Sequence, residues 1–410
     1  MISKIDVKTP TDPKDRHINL LKENTMEIVG IDVGFGFTKA YNGKNSVIFK
    51  SIIGDATDIQ FHSVLGDESS TSNLHITLDN KSYFLGSYAE LQSNIREFTL
   101  DQEKLLENFF KILAITAAGL CTDTSAPLHI VTGLPVGYLK RDSKRLKEMI
   151  TGVHHITFHH PDGKEVPRKI HIDKIHVIPQ PIGSIFNLIF DEQGRIIDKV
   201  LAAQKLGVVD IGFKTTDFSI FDHLQYIERG SSTMDTGISK CFSVIAGKLR
   251  QESNINIELF RMFKFIESGM IKIRGKEYNI SNLKKRVYTH AAAAIVSDLN
   301  RLWENDWDID SIILSGGGSV ELAEYLISGI EGNIIPIPKN IDARFNNVQG
   351  YCKFGRYKWG YTKHLSEQRA EEKTKDAGEA ENNEPPDRPE IEEIRAEKPS
   401  RGLSWLRRQS

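Results

Sequence analysis

Ile28-Val29-Gly30-Ile31-Asp32-Val33-Gly34-Phe35-Gly36-Phe37-Thr38-Lys39-Ala40 reads as a buried strand, a tight glycine turn and a second strand. About half a chain later the pattern returns as Leu206-Gly207-Val208-Val209-Asp210-Ile211-Gly212-Phe213-Lys214-Thr215-Thr216-Asp217-Phe218-Ser219-Ile220. In both, the apolar run closes on Asp-x-Gly. One such unit is an ordinary hairpin. Two of them predict two similar domains, each offering a carboxylate and a glycine turn to one ligand.

A third run, Ile312-Ile313-Leu314, leads into Ser315-Gly316-Gly317-Gly318. It reads as a buried strand followed by a helix, with Ser319 as the expected cap and Glu321 in the first turn. Successive backbone N–H groups bind phosphate oxygens well where no side chain obstructs them. Gly34, Gly36 and Gly212 suit that task. The triple glycine lets a purine lie against the backbone. Asp32 and Asp210 sit beside the turns, and a Mg²⁺ ion that bridges phosphates takes one or two carboxylates and keeps its waters. Lys39 is the cation of the first hairpin.

Competing nucleotide signatures fail. No GxxxxGK[ST] is present, and Gly34-Phe35-Gly36 meets Lys39 where GxGxxG needs its third glycine. The 410 residues accommodate two ordinary domains, and a net charge of -2 gives no global pull toward nucleic acid or membrane. No run approaches the ~18 apolar residues of a membrane span. Cys121, Cys241 and Cys352 form no CxxC pair, which fits a reducing cytoplasm.

Along the chain, residues 1–25 read as a flexible leader without an apolar signal core. Strands are expected over 28–33 and 46–49, an irregular polar stretch over 55–80, and a helix over 105–120. Further strands are expected at 129–135, 155–158 and 169–178, with helices at 138–151 and 182–191. In the second half, a strand at 224–229 and a helix at 238–252 precede helix-rich sequence to Trp307. There Ala291–Ile295 is the expected packing face, and Trp303 with Trp307 at i, i+4 reads as core. A short strand at 334–337 closes the fold near Tyr361.

With these elements in order, the chain resembles the actin / sugar kinase / Hsp70-type ATPase superfamily. Its phosphate hairpins match Asp32 to Lys39, with the seven-residue spacing seen in actins, and Asp210 to Asp217. Its adenosine motif matches Leu314-Ser315-Gly316-Gly317-Gly318. Within the superfamily the chain is similar to bacterial and archaeal actin-like proteins of the plasmid-segregation (ParM/StbA) type. Val131 to Pro135, Pro179 to Gly183 and Asp342 to Tyr351 carry that likeness.

The resemblance implies an α/β fold of two related RNase H-like domains flanking a nucleotide cleft. The expected boundaries are 26–182 with 336–362 for the first domain, 183–335 for the second, and 363–410 for a disordered charged tail. ATP and Mg²⁺ are the implied cofactors. Asp32 and Asp210 would hold the metal through water. Gly34, Gly36, Phe37, Thr38, Lys39, Gly212, Lys214, Thr215 and Gly316, Gly317 and Gly318 would hold the nucleotide. Gln180 matches the position that orients the attacking water. A glutamine positions water without deprotonating it, so slow hydrolysis is expected. The resemblance also implies cytoplasmic filaments of head-to-tail subunits, an adaptor protein, and DNA met only indirectly. Other roles are organelle or cell organisation, or a small-molecule kinase of the same superfamily with Asp217 as a candidate base. A chaperone-like ATPase would need a substrate domain after Tyr361, where only a short tail follows.

His154, His155, His159, His160, His171 and His176 invite a metal reading or that of an exposed hairpin. From Ser366 to Pro399 the composition cannot bury enough surface to order itself. The basic tip with Leu403, Trp405 and Leu406 could dock a partner or an anionic membrane surface, or end as plain unstructured chain.

Overall fold

The computed structural model describes residues 26–56, 74–335 and 342–360. The expected leader, most of the irregular stretch and the charged tail with its tip lie outside the described residues.

Two sheets are built by the same rule. In the larger, the strands run in the order Ser46–Lys50, Phe37–Tyr41, Glu27–Val33, Leu128–Leu134, Glu165–Pro179. The first three are antiparallel neighbours, and the last two join in parallel. In the smaller, Gln225–Met234, Thr216–Asp222, Lys205–Ile211, Ser311–Ser315 and Ile334–Ile335 repeat that order and those directions. The central strands are buried along nearly their whole length, which is why they read as continuous apolar runs. Each sheet's parallel strands end at the same edge, so both Asp-x-Gly turns emerge on one side. The larger sheet continues through Gly152–His159 and His75–Leu78 to Arg96–Glu97.

The first lobe closes its core with helix Phe110–Cys121, and the second with helices Ser239–Ser253 and Ser281–Leu302. A third cluster lies between the lobes. There Ile182 and Phe186, from helix Ile182–Ile189, meet Tyr351 and Phe354, from helix Asn346–Gly355, and Val208 and Ile313 of the second sheet. Among the described residues no helix is long and apolar enough to cross a membrane.

Several local expectations are corrected. The helix expected from Leu105 starts at Phe110, because Leu106 and Glu107 leave helical geometry. Leu105, Leu106, Phe109 and Phe110 are all buried across the break, while Glu107 and Asn108 are exposed. The stretch read as irregular to Asn80 contains strand His75–Leu78, which pairs with Lys81–Leu85 through Asp79 and Asn80 at positive φ. Met270–Ile273 and Lys276–Asn279 form a hairpin inside the expected helical region. Helix Ser281–Leu302 packs through Tyr288, Ala292, Ile295 and Leu299, so only part of the alanine run faces inward. That helix ends before Trp303, and the helical spacing to Trp307 is lost: Trp303 is buried, with its indole N–H on Gly230 O at 2.9 Å, while Trp307 is 89% exposed. The histidine hairpin is only partly exposed, since His154 and His176 are buried and His154 Nε2 bonds Ile150 O. Among the described residues no three His, Cys, Asp or Glu side chains converge as metal ligands.

Candidate functional site

In the first hairpin Asp32 lies opposite Lys39, and the turn closes with Gly34 N–H on Phe37 O at 3.1 Å. Lys39 Nζ reaches Asp32 Oδ2 at 2.7 Å, and Asp32 is buried. A cross-strand pair of opposite charge stabilises the hairpin and leaves a cation beside the turn. Thr38 points the other way. Its buried Oγ1 is 2.9 Å from Ser51 Oγ, which donates to Gly34 O. Thr38 therefore braces the turn from behind, and its side chain is not part of the cleft wall, contrary to its expected place among the nucleotide contacts.

The second hairpin has the same register, with Gly212 N–H on Thr215 O at 2.8 Å, but aspartate Asp217 stands opposite Asp210. Both carboxylates are buried. Burial pushes Asp210 up to about 7, and the nearby Asp217 and Asp32 add to the rise; the Asn347 amide, 2.6 Å away, opposes it. Burial likewise lifts Asp217 to about 6, against hydrogen bonds from Thr233 Oγ1 at 2.5 Å, Val136 N–H at 3.0 Å and Thr215 Oγ1 at 3.3 Å. Val136 follows a strand of the first lobe, so Asp217 ties the two lobes together.

Strand Ser311–Ser315 delivers the triple glycine. Gly316 adopts φ +82°, and a Cβ there would stand 2.3 Å from Asp210 Oδ1. Only glycine meets both conditions. Helix Gly317–Leu326 starts directly after it, so Gly316 holds the cap position expected for Ser319. Ser319 lies in the first turn and donates to Gly316 O at 2.7 Å. Glu321 sits beyond that turn, paired with Lys284 at 3.1 Å.

These parts meet around one cavity of about 550 Å³ between the lobes. Of the residues singled out from sequence, Asp32, Gly34, Gly36, Phe37, Lys39 and Gln180 line it from the first lobe. Asp210, Gly212, Lys214, Thr215 and the three glycines line it from the second. Gln180 follows the end of strand Glu165–Pro179. Its backbone is held by Leu134 O and by the Tyr351 hydroxyl. Among the described residues no hydrogen bond holds its carboxamide.

Other wall residues escaped the sequence reading. Asn347, Lys50, Lys264, Glu267 and Arg344 all reach the cavity. So do phenylalanines. A Cβ on Gly36 would lie 3.0 Å from the Phe213 ring, and Phe263 packs edge-on against Phe37 and tilted against Phe213, with centroids at 4.8 and 4.9 Å. Lys214 lies over Phe35 at 5.1 Å. The available signal was the phenylalanine that follows each turn glycine, Phe35 after Gly34 and Phe213 after Gly212.

Residues 30–183 match the family model described as actin like proteins N terminal domain, and residues 208–327 match archaeal actin homologue MreB-like, C-terminal. The chain belongs to the actin-like superfamily. Its fold is accordingly similar to a 15-stranded ParM filament subunit from Clostridium botulinum: 25% identity, 81% of this chain and 99% of that one, TM-score 0.68. An archaeal actin homologue in complex with ADP is 21% identical over 80% of this chain and 98% of its own, TM-score 0.65. Bacillus thuringiensis ParM with ADP is 17% identical over 80% and 98%, TM-score 0.59. Among curated proteins no match was found. In this actin-like chain the repeated sheets and the Asp-x-Gly turns at one edge are thus two views of one duplicated architecture.

Proposed function

We propose that this actin-like chain binds ATP with Mg²⁺ in the cleft, hydrolyses it slowly, and assembles into cytoplasmic filaments that segregate plasmid or other DNA. The observation that carries the reading is the meeting of three glycine turns and two buried carboxylates on one cavity. The residues fit the group. Asp32 and Asp210 are hard oxygen donors, and the like-charged Asp210 and Asp217 face each other in a buried place that a divalent cation would relieve. When bound, Mg²⁺ neutralises phosphate charge and offers a Lewis acid.

The chain's own residues do the rest. The Gly34 and Gly212 N–H groups close their own turns, on Phe37 O and Thr215 O, which leaves the neighbouring turn amides, Gly36 N–H among them, to meet phosphate oxygens. Lys39 supplies a cation already placed by Asp32. The unheld carboxamide of Gln180 orients a water and takes no proton from it. Gly316 to Gly318 let a purine approach the backbone.

Filament formation is supported by the likeness to the Clostridium botulinum ParM filament. Head-to-tail contact is heterologous and does not close, so it propagates. Segregation would then need an adaptor, with DNA held indirectly. The kinase alternative needs a carboxylate free to take a proton from a substrate hydroxyl. Asp217 is occupied by three donors and does not line the cavity, which weighs against it. Sedimentation and light scattering with ATP, with ADP and without nucleotide test the proposal. Assembly that follows the nucleotide state supports it. Phosphorylation of a sugar or acid with no assembly would sink it.

A further inference from the structure

Across the mouth of the cleft the second lobe pushes one aromatic ring into the first. Phe260, in the tight turn Leu259–Arg261, is 4% exposed, and its neighbours are Ile52, Phe84, Tyr88 and Ala89. All four belong to the first lobe. Phe98, also of the first lobe, packs edge-on with ring centroids 5.5 Å apart, and the Arg96 guanidinium covers the ring at 5.8 Å. Arg96 then pairs with Glu258 at 3.3 Å. Lys50 Nζ donates to Phe260 O at 3.2 Å and to Glu90 at 2.5 Å.

This cluster is separate from the cores of both lobes. Neither lobe needs Phe260 to fill its interior, and the ring is buried only while the lobes are together. Phe260 also leads directly into helix Met262–Ser268, whose Phe263, Lys264 and Glu267 line the cavity, and Lys50 lines it from the other side. A ring that leaves its socket carries those wall residues with it.

We propose that Phe260 and its socket form a latch that holds the cleft shut, so that its release sets the rate at which a nucleotide enters and leaves. The proposal rests on the cleft being a nucleotide site. Exposing one buried phenylalanine shifts an equilibrium by about ten- to a hundredfold. Opening, and with it release, should speed up by that factor in Phe260→Ala. Phe260→Leu, which keeps an apolar plug, should fall in between.

The test uses the full chain. Release of fluorescent N-methylanthraniloyl-ADP is followed after a chase of unlabelled ATP. A second readout needs no nucleotide. Cys121, Cys241 and Cys352 are buried, so a thiol introduced by Ala89→Cys beneath the ring reports on the socket over a quiet background. It should react with a maleimide at least about tenfold more slowly than one introduced by Leu91→Cys, at a position 74% exposed, and adding Phe260→Ala should remove most of the difference. Release and labelling rates that Phe260→Ala leaves unchanged would overturn the latch. If no nucleotide binds at all, the ATP reading falls while the labelling experiment still decides the latch.

Discussion

The carboxamide of Asn347 donates to Asp210 at 2.6 Å, although the two are 137 positions apart. Asn347 belongs to helix Asn346–Gly355, which packs between the lobes and places its amide at the end of a second-lobe strand. The bond fixes the carboxylate where the second glycine turn begins and meets part of the cost of burying it. Asp210→Ala should lower phosphate release by at least about a hundredfold with the fold retained, because a charge-stabilising group at the phosphates is lost. Asn347→Ala should lower stability by about 1–3 kcal/mol, since it strands a buried acceptor, as urea unfolding would read. An unchanged hydrolysis rate in Asp210→Ala would contradict the site.

Gln180 offers a second handle. Gln180→Ala should slow phosphate release by about ten- to a hundredfold and leave ATP-induced sedimentation in place, so that filaments persist longer. Gln180→Glu supplies a base where only an orienting amide stood, and general-base assistance contributes about 10² or more. A faster rate in Gln180→Glu, by single-turnover phosphate release, is the expected sign. A drop equal to that of the alanine variant would mean that the residue does not face the water.

His176 makes stability depend on pH. It is buried near Phe354, and burial, aided by the charges of Lys358 and Lys147, lowers it from 6.5 to about 3. Between these values the unfolded chain binds a proton that the folded chain excludes, so stability is lost as pH falls below about 6.5. The slope is about 1.4 kcal/mol per pH unit. Urea unfolding at pH 7 and pH 5 should show the loss, and His176→Leu should reduce it. Equal losses in both proteins would assign the effect to other groups.

Phe354 carries the seam between the lobes. It is fully buried and stacks on Phe186 with centroids 4.5 Å apart and planes 9° apart. Phe354→Ala should cost about 3–5 kcal/mol in chemical denaturation, with Phe265→Ala in the second lobe as a milder comparison because that ring is only half-buried. Similar losses in the two variants would argue that the seam contributes no more than an ordinary partly buried ring.

Much of the site was legible because its parts are local. A strand that ends in Asp-x-Gly announces its turn within a few residues, and the register that sets Asp32 against Lys39 follows from a short hairpin. The same locality exposed the repeat at Asp210. Errors came where a local pattern met a tertiary demand. Leu105 to Phe109 has helical spacing but breaks at Leu106 and Glu107, and Trp307 shares a spacing with Trp303 only if the helix continues past Leu302.

From the sequence alone came two like hairpins, a triple glycine and the expectation that they share a ligand, since strand and turn chemistry act over a few neighbouring residues. Tertiary structure decided what stands between and behind them. Thr38 turns away to Ser51, Asp217 joins the lobes through Val136, Asn347 anchors Asp210, and Phe260 fills a socket in the opposite lobe. Each of these joins residues that only packing brings together: the side chain's direction is set by what burial requires of the whole chain, and no short window of sequence contains both partners.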